Sequence, residues 1–93
     1  MGKRKRELHH ILDDERRLRY WPSRLDLRLA ALRYLASKLR DDQTYNEAAI
    51  NAMIRHWCVF DDPALMRREL FDRRFVGRTR DGSRYWLLPA QAG

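Results

Sequence analysis

FVGRTRDGSRYWLL, Phe75 to Leu88, decides how the rest of the chain is read. Two short runs rich in β-branched and aromatic residues flank Asp81-Gly82-Ser83. Asp-Gly between such runs signals a β-hairpin, because both residues tolerate the positive φ of a tight turn. With Asp81 and Gly82 as the two loop residues, Arg80 faces Ser83, Thr79 faces Arg84, Arg78 faces Tyr85 and Gly77 faces Trp86. Tyr85 and Trp86 then point to opposite faces, so only one of them is core. The hairpin also concentrates charge. Between Arg73 and Trp86 stand five arginines and one acid, Asp81.

Upstream of the hairpin the apolar period is helical. In RLDLRLAALRYLASKLR (Arg24–Arg40), Leu25, Leu29, Leu32, Ala36 and Leu39 recur at helical spacing, with Leu27, Ala31, Tyr34 and Leu35 on the adjoining arc. Only Asp26, Arg33, Ser37 and Arg40 form a polar strip, so this helix needs cover from more than one side. That cover is either the rest of the domain with the N-terminal segment or a second subunit. Thr44 with Glu47 reads as a capping box for a second helix, whose stripe is Ala49, Ile50, Met53, Ile54 and Trp57. Asp62 as N-cap and Pro63 as first helical residue start a third helix, running to about Arg74 with Met66, Leu70 and Phe71 inward. Three core helices followed by a C-terminal β-hairpin predict an α+β, mostly α, winged helix-turn-helix.

The chain has 93 residues and one cysteine, Cys58, which excludes an intrachain disulfide and suits a cytoplasmic setting. A 93-residue chain forms one domain with a small core. The expected organisation is a basic N-terminal segment (1–19), a winged-helix domain (20–89) and a short tail (90–93). Leu8, Ile11, Leu12 and Leu18 give residues 3–19 a sparse apolar stripe compatible with a helix. No apolar run is long enough to span a bilayer, and the basic start leads into no secretory h-region. Formal net charge is +7, with seventeen arginines among twenty basic residues. The excess lies at the two ends: about +4 in residues 1–24, −1 in 25–62 and +4 in 63–93. Basic flanks around a neutral middle suit a polyanion, and guanidinium suits phosphate. A GC-rich genome produces the same arginine bias with no physical cause.

One resemblance covers roughly residues 15–88. YNEAAIN (Tyr45–Asn51) through DDPALMRRELFDRRFVGRTRDGSRYW (Asp61–Trp86) resembles the bacterial "domain of unknown function 2087" family. Its members share a Y-x-E-x-x-V/I-N start, an L/M-R-R-E-L helix and an R-x-x-D-G-S-x-Y-W ending. RLRYWPSRLDLRLAALRYLASKL (Arg17–Leu39) is similar to that family's proline-containing lead into its first helix. The resemblance implies a winged helix with a role in transcription, and no particular ligand. The chain departs from the pattern at Ala49, and at Leu25, Asp26 and Leu27, which break the basic run after the proline.

The candidate binding residues follow from charge and position. Arg78, Arg80 and Arg84 lie on the wing, Arg73 and Arg74 at its base, and Arg68 on the outward side of the third helix. A wing tracking phosphates or entering the minor groove has this character, although charged edge strands also simply block aggregation. On the third helix, Arg68–Asp72 and Glu69–Arg73 are i,i+4 pairs able to neutralise each other, which weakens it as a base reader. Lys3, Arg4, Lys5 and Arg6 read as a nucleic-acid arm or as a solubilising tail. Arg67 falls inward and is expected to form a structural ion pair with Glu47 or Asp62. Trp57 is expected in the core, and Trp21 over the sheet or the first helix.

For catalysis the inventory is thin. His9-His10 and His56-Trp57-Cys58 have no metal spacing, no serine lies in a nucleophile motif, and no glycine-rich loop is present. The expectation is a non-enzyme without cofactor or metal. Duplex DNA is the first expected partner, RNA uses the same arginines, and dimerisation through the helix at 25–39 or docking of another protein is the alternative.

Overall fold

The computed structural model describes residues 8–89. The elements are α1 (Leu25–Ala36), β1 (Thr44–Tyr45), α2 (Glu47–Trp57), α3 (Pro63–Asp72), β2 (Val76–Arg78) and β3 (Tyr85–Leu87). β1, β3 and β2 form an antiparallel sheet in that spatial order. α1, β1, α2 and α3 followed by a C-terminal hairpin that joins β1 in the sheet make the α+β architecture of a winged helix. The three main helices and the hairpin stand where the apolar periods put them.

β1 has no strong signal in the sequence, since it is two residues long. It pairs Thr44 with Trp86 and Tyr45 with Tyr85. This corrects the expected capping box. Thr44 belongs to a strand, and Asn46, lying between that strand and the helix, is the N-cap of α2. Its side-chain oxygen accepts the Ala49 N–H at 2.8 Å. Asp62 caps α3 as expected, accepting the Leu65 N–H with Pro63 following.

The hairpin register is the expected one: Val76 opposes Leu87, Gly77 opposes Trp86 and Arg78 opposes Tyr85. The tip is wider than a two-residue loop. The Thr79 N–H bonds the Arg84 carbonyl, and the Gly82 N–H bonds the Thr79 carbonyl, so Arg80 and Asp81 are the central turn residues and Gly82 takes the positive φ of 74°. Tyr85 is the buried member of the Tyr85–Trp86 pair. The Trp86 ring is half-buried and lies over Gly77.

The core joins Leu32 and Leu35 of α1, Ile50 and Ile54 of α2, Met66 and Leu70 of α3, and Val76 of β2. Ile11 and Leu18 complete it from the N-terminal side. Among the described residues of the segment compatible with a helix, only Leu8–His10 are helical. Beyond them Asp13 accepts the N–H groups of Glu15 and Arg17, and Arg16 has a φ of 62°, both incompatible with a continuing helix. Leu18 then runs beside the end of α2: its N–H bonds the Trp57 carbonyl, and its carbonyl accepts the Val59 N–H. Arg17 reinforces the seam by donating to the His56 and Cys58 carbonyls. Much of the cover for α1 therefore comes from within the chain. The core reaches back to Ile11, ahead of residue 20, where the sequence places the domain's start.

Trp57 sits at the rim of this core and not inside it. Its ring meets Tyr34 and His56 edge-on, and the Lys38 ammonium lies 4.1 Å from its centroid. Trp21 packs toward the first helix, with the Arg28 guanidinium 5.4 Å from its ring. Cys58 is buried, and burial pushes its thiol up to about 12.

Candidate nucleic-acid interface

α3 places the first part of the surface. At about 100° per residue, its inward arc centres on Met66, with Leu70 about 40° to one side and Glu69 about 60° to the other. Met66 and Leu70 are fully buried. Phe71 is about 140° from that centre, and it is 37% exposed. This corrects its inward placement, which follows hydrophobicity instead of angle. The solvent-facing stripe is Ala64, Arg68, Phe71 and Asp72, at i, i+4, i+7 and i+8. Arg68 and Asp72 share it without forming an ion pair.

Arg67 is turned partly inward as expected, but its partner is neutral. Its Nη1 donates to Asn51 Oδ1 of α2 at 2.7 Å. Neither Glu47 nor Asp62 pairs with it: Asp62 is engaged in capping α3, and Glu47 is exposed in the first turn of α2. Asn51 lies one turn beyond Glu47 on α2. It is a residue that a search for opposite charges passes over.

Glu69–Arg73 forms at 3.6 Å, a distance for Coulomb attraction but not for a hydrogen bond. Glu69 Oε1 is buried with no hydrogen-bond donor. An unsatisfied carboxylate oxygen is costly, and the Arg73 charge beside it offsets part of that cost. Arg73 thus stays exposed with its charge beside the Glu69 carboxylate. Arg74 follows with a φ of 65°, turning the chain from α3 into β2.

The hairpin supplies the rest. Arg78 stacks its guanidinium over the Phe71 ring, 4.6 Å from the centroid, so wing and α3 form one continuous surface. Its Nη1 would lie 3.7 Å from a Cβ at Gly82, which places the side chain along the wing toward the tip. Arg80 and Arg84 are exposed at the tip and its flank. Asp81 Oδ1 accepts the hydroxyls of Thr79 and Ser83 and the Ser83 N–H. The Ser83 and Thr79 hydroxyls hold its carboxyl below the usual carboxylate range. Asp81 therefore keeps its charge, but that charge is spent on shaping the turn.

Elsewhere in the chain, Arg24 pairs with Asp26, Arg40 with Asp42 and Arg55 with Asp61, whereas Arg28 donates to the Pro22 carbonyl and Arg33 lies over the Phe75 ring. Among the described residues, Arg68, Arg74, Arg78, Arg80 and Arg84 pair with no carboxylate. Lys3, Arg4, Lys5 and Arg6 lie outside the described residues. No group of three His, Cys, Asp or Glu able to hold a metal ion occurs among the described residues. No described helix is long and apolar enough to cross a membrane.

A family model described as "Uncharacterized protein conserved in bacteria (DUF2087)" matches residues 17–87. The match opens on Arg17, the residue that ties the N-terminal segment to α2, and closes on the last residue of β3. Neither the curated proteins nor the solved structures yield a match.

Proposed function

The chain belongs to this family of uncharacterized proteins conserved in bacteria, and we propose that it binds duplex DNA in transcriptional control, gripping phosphates with the wing and presenting α3 to the major groove. One observation carries the reading: Arg68, Arg74, Arg78, Arg80 and Arg84 expose their guanidiniums on the α3–wing surface without a carboxylate partner among the described residues. Unpaired guanidiniums on a projecting hairpin suit phosphate oxygens, which they grip with two parallel hydrogen bonds.

The test is fluorescence anisotropy of a random-sequence 25-base-pair duplex at salt stepped from 50 to 300 mM. Neutralising about five phosphates makes affinity fall several-hundred-fold between 50 and 200 mM. Arg78→Ala, Arg80→Ala and Arg84→Ala together remove most binding and leave the melting temperature nearly unchanged. Full binding by that triple variant overturns the wing assignment. Tighter binding to duplex RNA overturns the major-groove role, because the A-form major groove is too narrow for a helix.

A second reading, a docking module for another protein or a second copy, has one observation in its favour. Tyr20 and Leu25 remain about half exposed beside α1. A concentration-independent monomer by light scattering, with tight DNA binding, removes it.

A further inference from the structure

We infer that Phe71 is a base-reading side chain, whose ring takes the 5-methyl group of a thymine in the major groove. The inference rests on the duplex-DNA reading above and goes beyond it in assigning a residue and a base.

The exposed stripe of α3 offers four chemistries to whatever it faces: the Ala64 methyl, the Arg68 guanidinium, the Phe71 phenyl and the Asp72 carboxylate. The major groove has a distinct edge for each. Guanidinium matches guanine O6 and N7, carboxylate matches the cytosine amino group, and apolar carbon matches the thymine methyl. Toward phosphate the same stripe is poorly equipped, since Asp72 repels it and Phe71 and Ala64 have nothing to offer. Arg68 alone suits both. The composition of the stripe therefore points at bases.

A singly exposed aromatic needs no explanation by itself. Phe71 differs through its setting. It is the stripe residue in contact with the wing, and the Arg78 guanidinium lies 4.6 Å from its centroid. One face of the ring is backed by a cation that also reaches toward the wing tip, so the ring is held in place before any DNA arrives. A phenyl group has few rotamers to lose, which makes it an efficient rigid contact. Arg68 stands one helical turn away, about 4.5 Å along the axis. A guanine and a thymine within about two base pairs of each other are thus reachable by the pair.

The rival explanation is that Phe71 merely holds Arg78 against a phosphate. The two separate cleanly, because replacing thymine by uracil removes one methyl and leaves every phosphate and base pair in place. The experiment starts by enriching a tight duplex from a randomised pool with the wild-type chain. Each thymine of that duplex is then replaced singly by uracil, and affinity is measured by anisotropy for wild type and Phe71→Ala. Circular dichroism confirms that the variant is folded, and Phe71→Leu substitutes if it is not.

For wild type, uracil at one position or two adjacent ones weakens binding about fourfold, the value of one buried methyl group. Phe71→Ala binds the thymine duplex more weakly and no longer distinguishes uracil there, while Phe71→Leu keeps part of the discrimination. The inference is overturned if every uracil substitution is silent, or if Phe71→Ala retains the wild-type sensitivity. A wild-type chain that enriches no duplex and binds none at low salt removes the DNA reading itself, which is a different result from tight binding without methyl dependence.

Discussion

Gly77 has almost no room for a methyl group. A Cβ built on it would stand 2.5 Å from Nε1, 2.6 Å from Cε2 and 2.8 Å from Cζ2 of Trp86, its cross-strand partner. For Gly77→Ala two effects oppose each other. Alanine is worth about 0.5–1 kcal/mol over glycine inside a regular element, and the backbone here takes no positive φ that would penalise it. Against this, the indole must move by nearly 1 Å to restore ordinary contact, and overpacking of this kind costs about 1–3 kcal/mol. The second effect wins, because the clashing atoms belong to a rigid ring and not to the end of a flexible chain. The net loss is about 1–2 kcal/mol, a fall in melting temperature of roughly 5–10 °C for a domain of this size. Thermal unfolding by circular dichroism reads it directly. In a Trp86→Ala background the clash is gone, and Gly77→Ala becomes neutral or stabilising. An unchanged or raised melting temperature in the wild-type background refutes the packing argument, as does an undiminished penalty without the indole.

Arg17→Ala loses two guanidinium hydrogen bonds at the end of α2, at a cost of about 2 kcal/mol by urea denaturation. A lysine there recovers little, since it is a point charge with no fork to span two carbonyls. Asn46→Ala costs about 1 kcal/mol through loss of the cap, whereas Thr44→Ala changes stability by less than about 0.5 kcal/mol, which separates the observed cap from the capping box. Cys58 resists thiol reagents until the protein unfolds. Its folded-state pKa lies above the unfolded one, so its contribution is fully present below the ordinary value near 9 and is lost as pH rises toward about 12. The stability gap between wild type and Cys58→Ala therefore shrinks from pH 8 to pH 10.5.

The helices and the hairpin were legible because each has a local cause. Asp62-Pro63 starts α3, Asp-Gly turns the wing, and the stripe of Ile50, Met53 and Ile54 marks α2. What escaped depends on residues far apart. Thr44 reads as a cap until Trp86, forty-two positions on, claims its neighbourhood as a strand. The segment around Leu18 reads as a helix because its apolar spacing allows one, and the distant Trp57 carbonyl and Val59 N–H draw it into an extended path. Arg67 was placed by angle, but its partner was sought by charge, and a neutral amide was closer. Phe71 was misplaced by trusting hydrophobicity over the wheel. The arginine cluster was visible in the sequence. That Arg78, Arg80 and Arg84 have no carboxylate partner among the described residues was not, because ion pairing is a matter of distance.

The pairing of β1 with β3 has a kinetic consequence. α2 and α3 are joined by a five-residue connection and find each other at little loop-closure cost. The wing's inner strand must wait for Tyr45 to meet Tyr85 across forty residues of chain, and such non-local contacts form late and open early. The pairing of the wing with β1 is therefore among the later contacts to form, as is that of Leu18 with Trp57. Native-state hydrogen exchange will find the Tyr85–Leu87 amides opening well before those of Ile50 and Ile54. On the proposed reading, a polyanion that grips the wing also closes this seam, and the chain is then most completely folded when its wing is occupied.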